Sequence, residues 1–304
     1  MIRVSILALA ALAACASPPP PTTPEPTPVA LLVDPVALMA DVLALADDAL
    51  EGRRAGTPGG ARAADAVERR LRRTGARPAF ADGYRQPVVL PQSGGGTNIV
   101  ARVEGTVFPQ QAILVTAHFD GLGVASGRIF NGADDNASGV ATLAALADYL
   151  RRNPPQHTVY LAALDAEEQG LVGAQALAAD PPVPLGAVLA VVNLDMVSRG
   201  DLWAAGAAHY PHLGQLLRDA GLPLRFGHDT GGGADNWTSA SDHAAFHQRG
   251  VPFVYFGVED HPDYHQPTDD ASRIDPLTFA RAADTIVRAV EILDASHAAL
   301  VEGR

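Results

Sequence analysis

The 304-residue chain predicts an α/β sandwich whose largely parallel sheet is buried on both faces by helices. Two observations predict it. Short, almost unbroken apolar runs recur at 112–117, 158–164, 188–194 and 252–257, and runs without polar alternation are strands covered on both sides. Between them lie longer stretches with apolar residues at helical spacing, the alternation expected of strand–helix units.

In chain order, Asp34-Pro35 supplies a cap and a first-turn proline for a helix carrying Val36, Leu38, Met39, Val42, Leu43 and Leu45. A second helix is expected over Gly60–Arg73, with Ala64, Val67 and Leu71 on one face and arginines around the rest. The run Ala112–Ala117 is the first buried strand. Ser138–Leu150 follows as a helix with Val140, Leu143, Ala144, Ala147 and Leu150 on one side. Strand Thr158–Leu164, helix Leu171–Ala179 and strands Val188–Leu194 and Pro252–Gly257 continue the alternation, and a helix from about Pro276 to His297 closes it. No internal repeat and no further shift in composition divide residues 30–304, which are read as one domain.

The amino end reads differently. Met1–Cys15 has Arg3, an apolar stretch from Val4 to about Leu12 and then small residues, the plan of a secretory signal too short to span a bilayer. Leu12-Ala13-Ala14-Cys15 resembles the lipobox of bacterial lipoproteins. That resemblance implies removal of residues 1–14, lipidation of Cys15, and an exported protein anchored to a membrane and facing the periplasm or cell exterior. Cleavage after an Ala-x-Ala-like site with loss of Cys15 is the other reading. Ser17–Pro28, mostly Pro and Thr, makes residues 15–29 an extended, semi-rigid linker.

Composition excludes several functions. One cysteine makes neither an intrachain disulfide nor a Cys-rich zinc site. A net charge of −12 argues against nucleic acid as a partner. All 22 basic residues are arginine, so lysine chemistry (a Schiff base, a P-loop) is absent. Neither Gly-x-Ser-x-Gly nor His-Glu-x-x-His occurs, which excludes a serine elbow and the helix-borne single-zinc plan. No obligate protein partner is evident.

Ligand sites in open α/β sheets lie beyond the carboxyl ends of the strands. The residues just after the four runs are His118-Phe119-Asp120, Asp165-Ala166-Glu167-Glu168, Asp195, and Glu259-Asp260-His261 with Tyr264-His265. Asn131-Gly132-Ala133-Asp134-Asp135-Asn136 stands before the Ser138 helix. Carboxylates crowded on one rim repel unless a cation sits among them, and His with carboxylate is a zinc donor set.

These motifs, with Glu51-Gly52-Arg53, Gly56-Thr57, Thr97-Asn98-Ile99-Val100, Asp135-Asn136-Ala137-Ser138-Gly139, Glu167-Glu168-x-Gly170-Leu171, Asn193-Leu194-Asp195-Met196 and Tyr264-His265, resemble the co-catalytic dizinc aminopeptidase family, relatives of glutamate carboxypeptidase and glutaminyl cyclase. The resemblance runs from Asp34 to about Asp275. It implies a three-layer αβα sandwich with a central mixed, largely parallel sheet. It also implies two Zn²⁺ bridged by Asp135, one with His118 and Asp195, the other with Glu168 and His265. Glu167 matches the general base, Asp120 the acid that orients His118, and Tyr264 a phenol that polarises the scissile carbonyl. A cis peptide is implied at Asp135-Asn136. The implied activity is metal-dependent removal of an amino-terminal residue from peptides. A carboxypeptidase or dipeptidase, a glutaminyl cyclase and a non-catalytic receptor-like protein are the alternatives. Asp134 is expected to cap or turn, Ser241-Asp242-His243 to support the pocket, His261 to be a loop residue, Asp269 to support His265, and Gly94–Gly96 and Gly231–Gly233 to be flexible loops.

Overall fold

A computed structural model describes residues 30–91, 94–233 and 235–303. The expected signal segment, Cys15 and the expected Pro/Thr linker lie outside the described residues. Leu31–Arg304 forms one compact unit.

Helix α1 (Pro35–Leu45) starts where Asp34 accepts the Val36 N–H at 2.9 Å, and it buries Leu38, Val42 and Leu45. A 3₁₀ turn over Asp48–Arg53 leads to α2 (Pro58–Thr74), which Thr57 caps and which Gly75 ends at φ 80°. Glycine is the residue that adopts this left-handed conformation without steric cost. There follow β1 (Arg77–Pro78), β2 (Arg85–Val89), β3 (Gly95–Val103), β4 (Phe108–His118), and a small hairpin of β5 (Gly123–Ala125) and β6 (Arg128–Phe130). A wide turn over Ala133–Ser138 opens α3 (Gly139–Arg152), and β7 (His157–Leu164), α4 (Val172–Ala179) and β8 (Val188–Leu194) come next. Then β9 (Trp203–Ala205), α5 (Pro211–Asp219), β10 (Arg225–Phe226), α6 (His243–His247), β11 (Phe253–Gly257), α7 (Pro276–Ala295) and α8 (His297–Glu302) complete the chain.

Among the described residues the main sheet runs β1-β3-β7-β4-β8-β11-β9-β10, with β2 also on β3. Its centre, β7-β4-β8-β11, is parallel, whereas β3 pairs antiparallel with β7 and β9 antiparallel with β11. The mixed, largely parallel sheet and its two helical layers are as the sequence reading expects. Strand β4 shows how both faces become core. Ile113, Val115 and Ala117 pack with residues of α1, α2, α3 and α7, while Ala112 and Leu114 pack with Ala174, Leu177, Ala245 and Phe246 of α4 and α6.

Two expectations change. Gly95 and Gly96 are not loop residues; they open β3, opposite Val89 and Val88. Glycine is there for space, since a Cβ on Gly96 would lie 2.9 Å from Asp165 Oδ2. The closing helix breaks at Ser296, one residue before the expected end, and α8 begins at His297.

That break is held by a buried polar chain at the far end of the sheet. Asp294 accepts the backbone N–H groups of Gln156 (2.7 Å) and His157 (2.8 Å) and faces His157 Nδ1 at 2.9 Å. His157 Nε2 in turn meets His297 Nδ1 at 2.9 Å. Burial works against the Asp294 charge, but His157 and the two backbone donors prevail and hold its pKa below the ordinary 3.8. Its contribution to stability is therefore complete above pH ~4 and fades as pH falls through the depressed value. Asp294→Ala strands these buried donors and should cost about 3 kcal/mol in urea unfolding at pH 7, with the deficit shrinking below pH 3.

Candidate metal centre

Strands β4, β7, β8 and β11 are parallel neighbours, so their carboxyl ends share one rim of the sheet. His118 closes β4. Glu167 and Glu168 follow β7, Asp195 follows β8, and Tyr264 and His265 lie in the loop after β11. Asp135 reaches the same place from the turn before α3. Its cis peptide with Asn136 is present as expected.

His118 Nε2 lies 3.3 Å from Asp135 Oδ1 and 3.3 Å from Asp195 Oδ1. His265 Nε2 lies 3.1 Å from Asp135 Oδ2 and 3.4 Å from Glu168 Oε2. Two groups of donor atoms result, His118/Asp135/Asp195 and Asp135/Glu168/His265, each with its atoms within 4.8 Å of one another. Asp135 belongs to both and turns a different oxygen toward each.

The support is extensive. Asp269 accepts the N–H groups of Asp134 (3.0 Å) and Asp135 (3.0 Å), so it holds the Asp135 backbone more directly than it supports His265. Asn136 donates to Leu194 O at 2.8 Å, tying the turn to the end of β8. Asp134 is more than a turn residue. It accepts from Ser198 N (2.9 Å) and Ser198 Oγ (2.6 Å), and its other oxygen meets His261 Nε2 at 3.0 Å. His261 is in a loop as expected, but with this buried partner. Ala166, Met196 and His265 all have φ between 54° and 60°, left-handed conformations that L residues rarely hold. Strain of this kind persists where surrounding structure over-determines it, commonly at functional sites.

Asp120 lies 3.6 Å from His118 Nδ1, and its Oδ1 accepts the Glu167 N–H at 2.9 Å. It thus touches both the imidazole it is expected to orient and the backbone of the expected base. Glu167 is in neither donor group. Burial, with the charges of Asp195, Asp242 and Asp120, raises its pKa well above 4.5 against the opposing pull of His118. Burial lowers the His118 pKa, yet Asp195, Asp120 and Asp135 outweigh it and leave it well above 6.5. Hydrogen bonds to Asp135 and Glu168 push His265 to about 10. Tyr264 stacks on His265 with ring centroids 3.9 Å apart, and its burial among these carboxylates raises its phenol pKa.

Sequence reasoning understated Asp242. It is fully buried, neither carboxylate oxygen has a hydrogen-bond partner among the described residues, and burial pushes its pKa to about 8. Its position beside Ser241 and His243 carried no sign of this proximity to Asp195 and Glu167. A cavity of about 320 Å³ opens over the site, walled on its apolar side by Met196, Trp237, Ala240, Tyr255 and Val258.

Residues 98–290 match the model of peptidase family M28. A probable zinc metalloprotease of Leptosphaeria maculans is 36% identical over 126 residues, which are 39% of this chain and 29% of that protein. The chain thus matches less than a third of that curated relative's length. Among solved structures, a zinc aminopeptidase from Bacillus subtilis superposes at a TM-score of 0.68 and 16% identity, covering 86% of this chain and 95% of the other. Porphyromonas gingivalis glutaminyl cyclase superposes at 0.67 and 20% identity, covering 86% and 99%. At these identities the structural likenesses are likenesses of fold.

Proposed function

The chain belongs to peptidase family M28, and from that membership we propose that it is a two-zinc exopeptidase, an aminopeptidase that removes the amino-terminal residue of peptides. One observation carries the reading: Asp135 turns Oδ1 toward His118 and Oδ2 toward His265, the disposition of a carboxylate shared by two cations.

The donor set suits zinc. Imidazole nitrogen and carboxylate oxygen are its ligands, and the rim carries more carboxylates than its two imidazolium groups can neutralise. In this reading His118 and Asp195 would hold one ion, Glu168 and His265 the other, and Asp135 would serve both. Bound there, the pair of ions would supply Lewis acidity that acidifies water and stabilises negative charge on a carbonyl oxygen.

The protein's own groups have separate tasks. Glu167 accepts a proton from the attacking water and returns it to the leaving amine. Asp120 fixes the Glu167 backbone and orients the His118 ring. The Tyr264 hydroxyl, kept protonated by its surroundings, donates toward the carbonyl oxygen. Met196, Trp237 and Tyr255 exclude water from one side and receive the substrate side chain.

A panel tests this reading against its neighbours in fold. Aminoacyl chromogenic amides and free peptides should be cleaved, amino-blocked peptides should not, and a chelator should abolish cleavage. Cleavage confined to amino-blocked peptides would point to a carboxypeptidase, and cyclisation of amino-terminal Gln peptides to a cyclase. Export and lipid attachment at Cys15 are proposed from Leu12-Ala13-Ala14-Cys15 alone, with palmitate labelling of the mature chain as their measurement.

A further inference from the structure

We infer that Arg53 is a positioning residue for the metal centre, holding the strand end that carries His118 against the turn that carries Asp135. The guanidinium is 1% exposed and makes no ion pair among the described residues. Its donors go instead to backbone carbonyls. Nε donates to Phe119 O at 2.7 Å, Nη1 to Leu45 O at 2.7 Å and to Asn131 O at 2.5 Å, and Nη2 to Gly132 O at 2.9 Å.

A buried cation without a contacting carboxylate is expensive, and uncharged side chains can also bond carbonyls. The placement of the four acceptors gives a reason for the arginine. Phe119 lies between His118 and Asp120. Asn131 and Gly132 lead directly into Ala133-Asp134-Asp135. One rigid planar fork therefore spans the two segments whose side chains, His118 and Asp135, approach within 3.3 Å to form one donor group. Lysine's single ammonium lacks that reach and planarity. Burial works against the Arg53 charge and lowers its pKa, and the nearby acids Asp135, Asp120, Asp269 and Glu168 offset that only in part.

The backbone is shaped to deliver this side chain. Glu51, Gly52 and Arg53 are left-handed in succession, at φ 52°, 65° and 54°. A Cβ on Gly52 would lie 2.5 Å from Gly123 O and 2.6 Å from Phe130 O, so glycine lets the β5–β6 hairpin pack directly against this turn.

The inference rests on the two-zinc reading, and its test separates the two. Full-length protein is stripped with a chelator and titrated with zinc, and its kinetics and its visible spectrum with Co²⁺ are recorded. Wild type should take up two ions. Arg53→Lys, which keeps a cation and some donors, should weaken at least one ion by about 10–100-fold, alter the Co²⁺ spectrum, and lower kcat with KM little changed. Leu293→Ala, a core truncation in α7, is the control that loses stability without change in metal affinity or spectrum. Should Arg53→Lys not fold, the Arg53 Nε–H resonance of ¹⁵N-arginine wild type, which should shift on zinc addition, takes its place. Wild-type affinity and spectrum in a destabilised Arg53→Lys, or an Arg53 resonance indifferent to zinc, overturns the inference. A wild-type chain that binds no zinc sinks the two-zinc reading itself.

Discussion

Glu167→Gln keeps two zinc ions per chain and loses about 10²–10⁴-fold in kcat, with KM changed little. The side chain is the same size, and Glu167 is absent from both donor groups, so neither the fold nor metal uptake depends on its charge. Its backbone N–H still reaches Asp120, which keeps the amide where the carboxylate was. What disappears is the capacity to take and return a proton. Burial with Asp195, Asp242 and Asp120 nearby disfavours the Glu167 charge, and cations bound in the two donor groups would favour it. The active form of a base is the deprotonated one, so wild-type kcat/KM should fall on the acid side as Glu167 takes up a proton. Gln removes that ionisation, so the residual activity of the variant should lack that limb. Metal analysis beside a pH–rate profile checks both halves. Undiminished kcat in a variant with full zinc would remove Glu167 from the mechanism.

The legible parts of this protein are those whose reasons are local. Strands β4, β7, β8 and β11 are apolar throughout because helices cover both faces, and that pattern needs no knowledge of partners. The rule of strand ends then brings out His118, Glu167, Glu168 and Asp195. It brings out His265 as well, in the loop after β11, although it stands eight positions beyond Gly257 and the Tyr264-His265 motif marks it more sharply. Edge elements escaped. β9 has three residues and β10 two, too few for a period, and β3 begins with Gly95-Gly96, which read as a breaker although Asp165 requires the space. Arg53 and Asp242 stand out in the sequence only as members of Glu51-Gly52-Arg53 and Ser241-Asp242-His243, and their surroundings are hidden for a different reason. Arg53 reaches Phe119 across 66 residues and Gly132 across 79, Asp242 feels the charges of Asp120 and Asp195 from distant strands, and no spacing rule encodes such proximity. The sequence marks Asp269 as support, but its grip on two successive N–H groups 134 and 135 positions away is visible only in the fold.

Asp135→Asn should reduce zinc uptake below two ions per chain and cut kcat/KM by roughly a thousandfold, about 4 kcal/mol of transition-state stabilisation. An amide offers one oxygen where two carboxylate oxygens face two donor groups, and it carries no charge to offset either cation. The effect extends to protons. Without a cation, Asp135 holds protons on both imidazoles: its hydrogen bond is the first cause of the rise of His265 to about 10, and it contributes to that of His118. A raised histidine pKa stabilises the metal-free fold fully below the ordinary 6.5, and that contribution is lost as pH climbs through the raised value. Asp135 has the opposite sense. Burial opposes its charge, but His118 and His265 prevail and depress its pKa, so its contribution is present above 3.8 and lost in acid. Ligand histidines must be neutral, so zinc and protons compete for the same nitrogens. At pH 7, zinc binding to wild type should therefore release protons, and apparent affinity should rise with pH. With Asn at 135 the imidazoles lose the partner that kept them charged, so fewer protons should be released. Calorimetric titrations in buffers of different ionisation enthalpy count them directly. Equal proton release and two tightly held ions in the variant would rule out a shared role for Asp135.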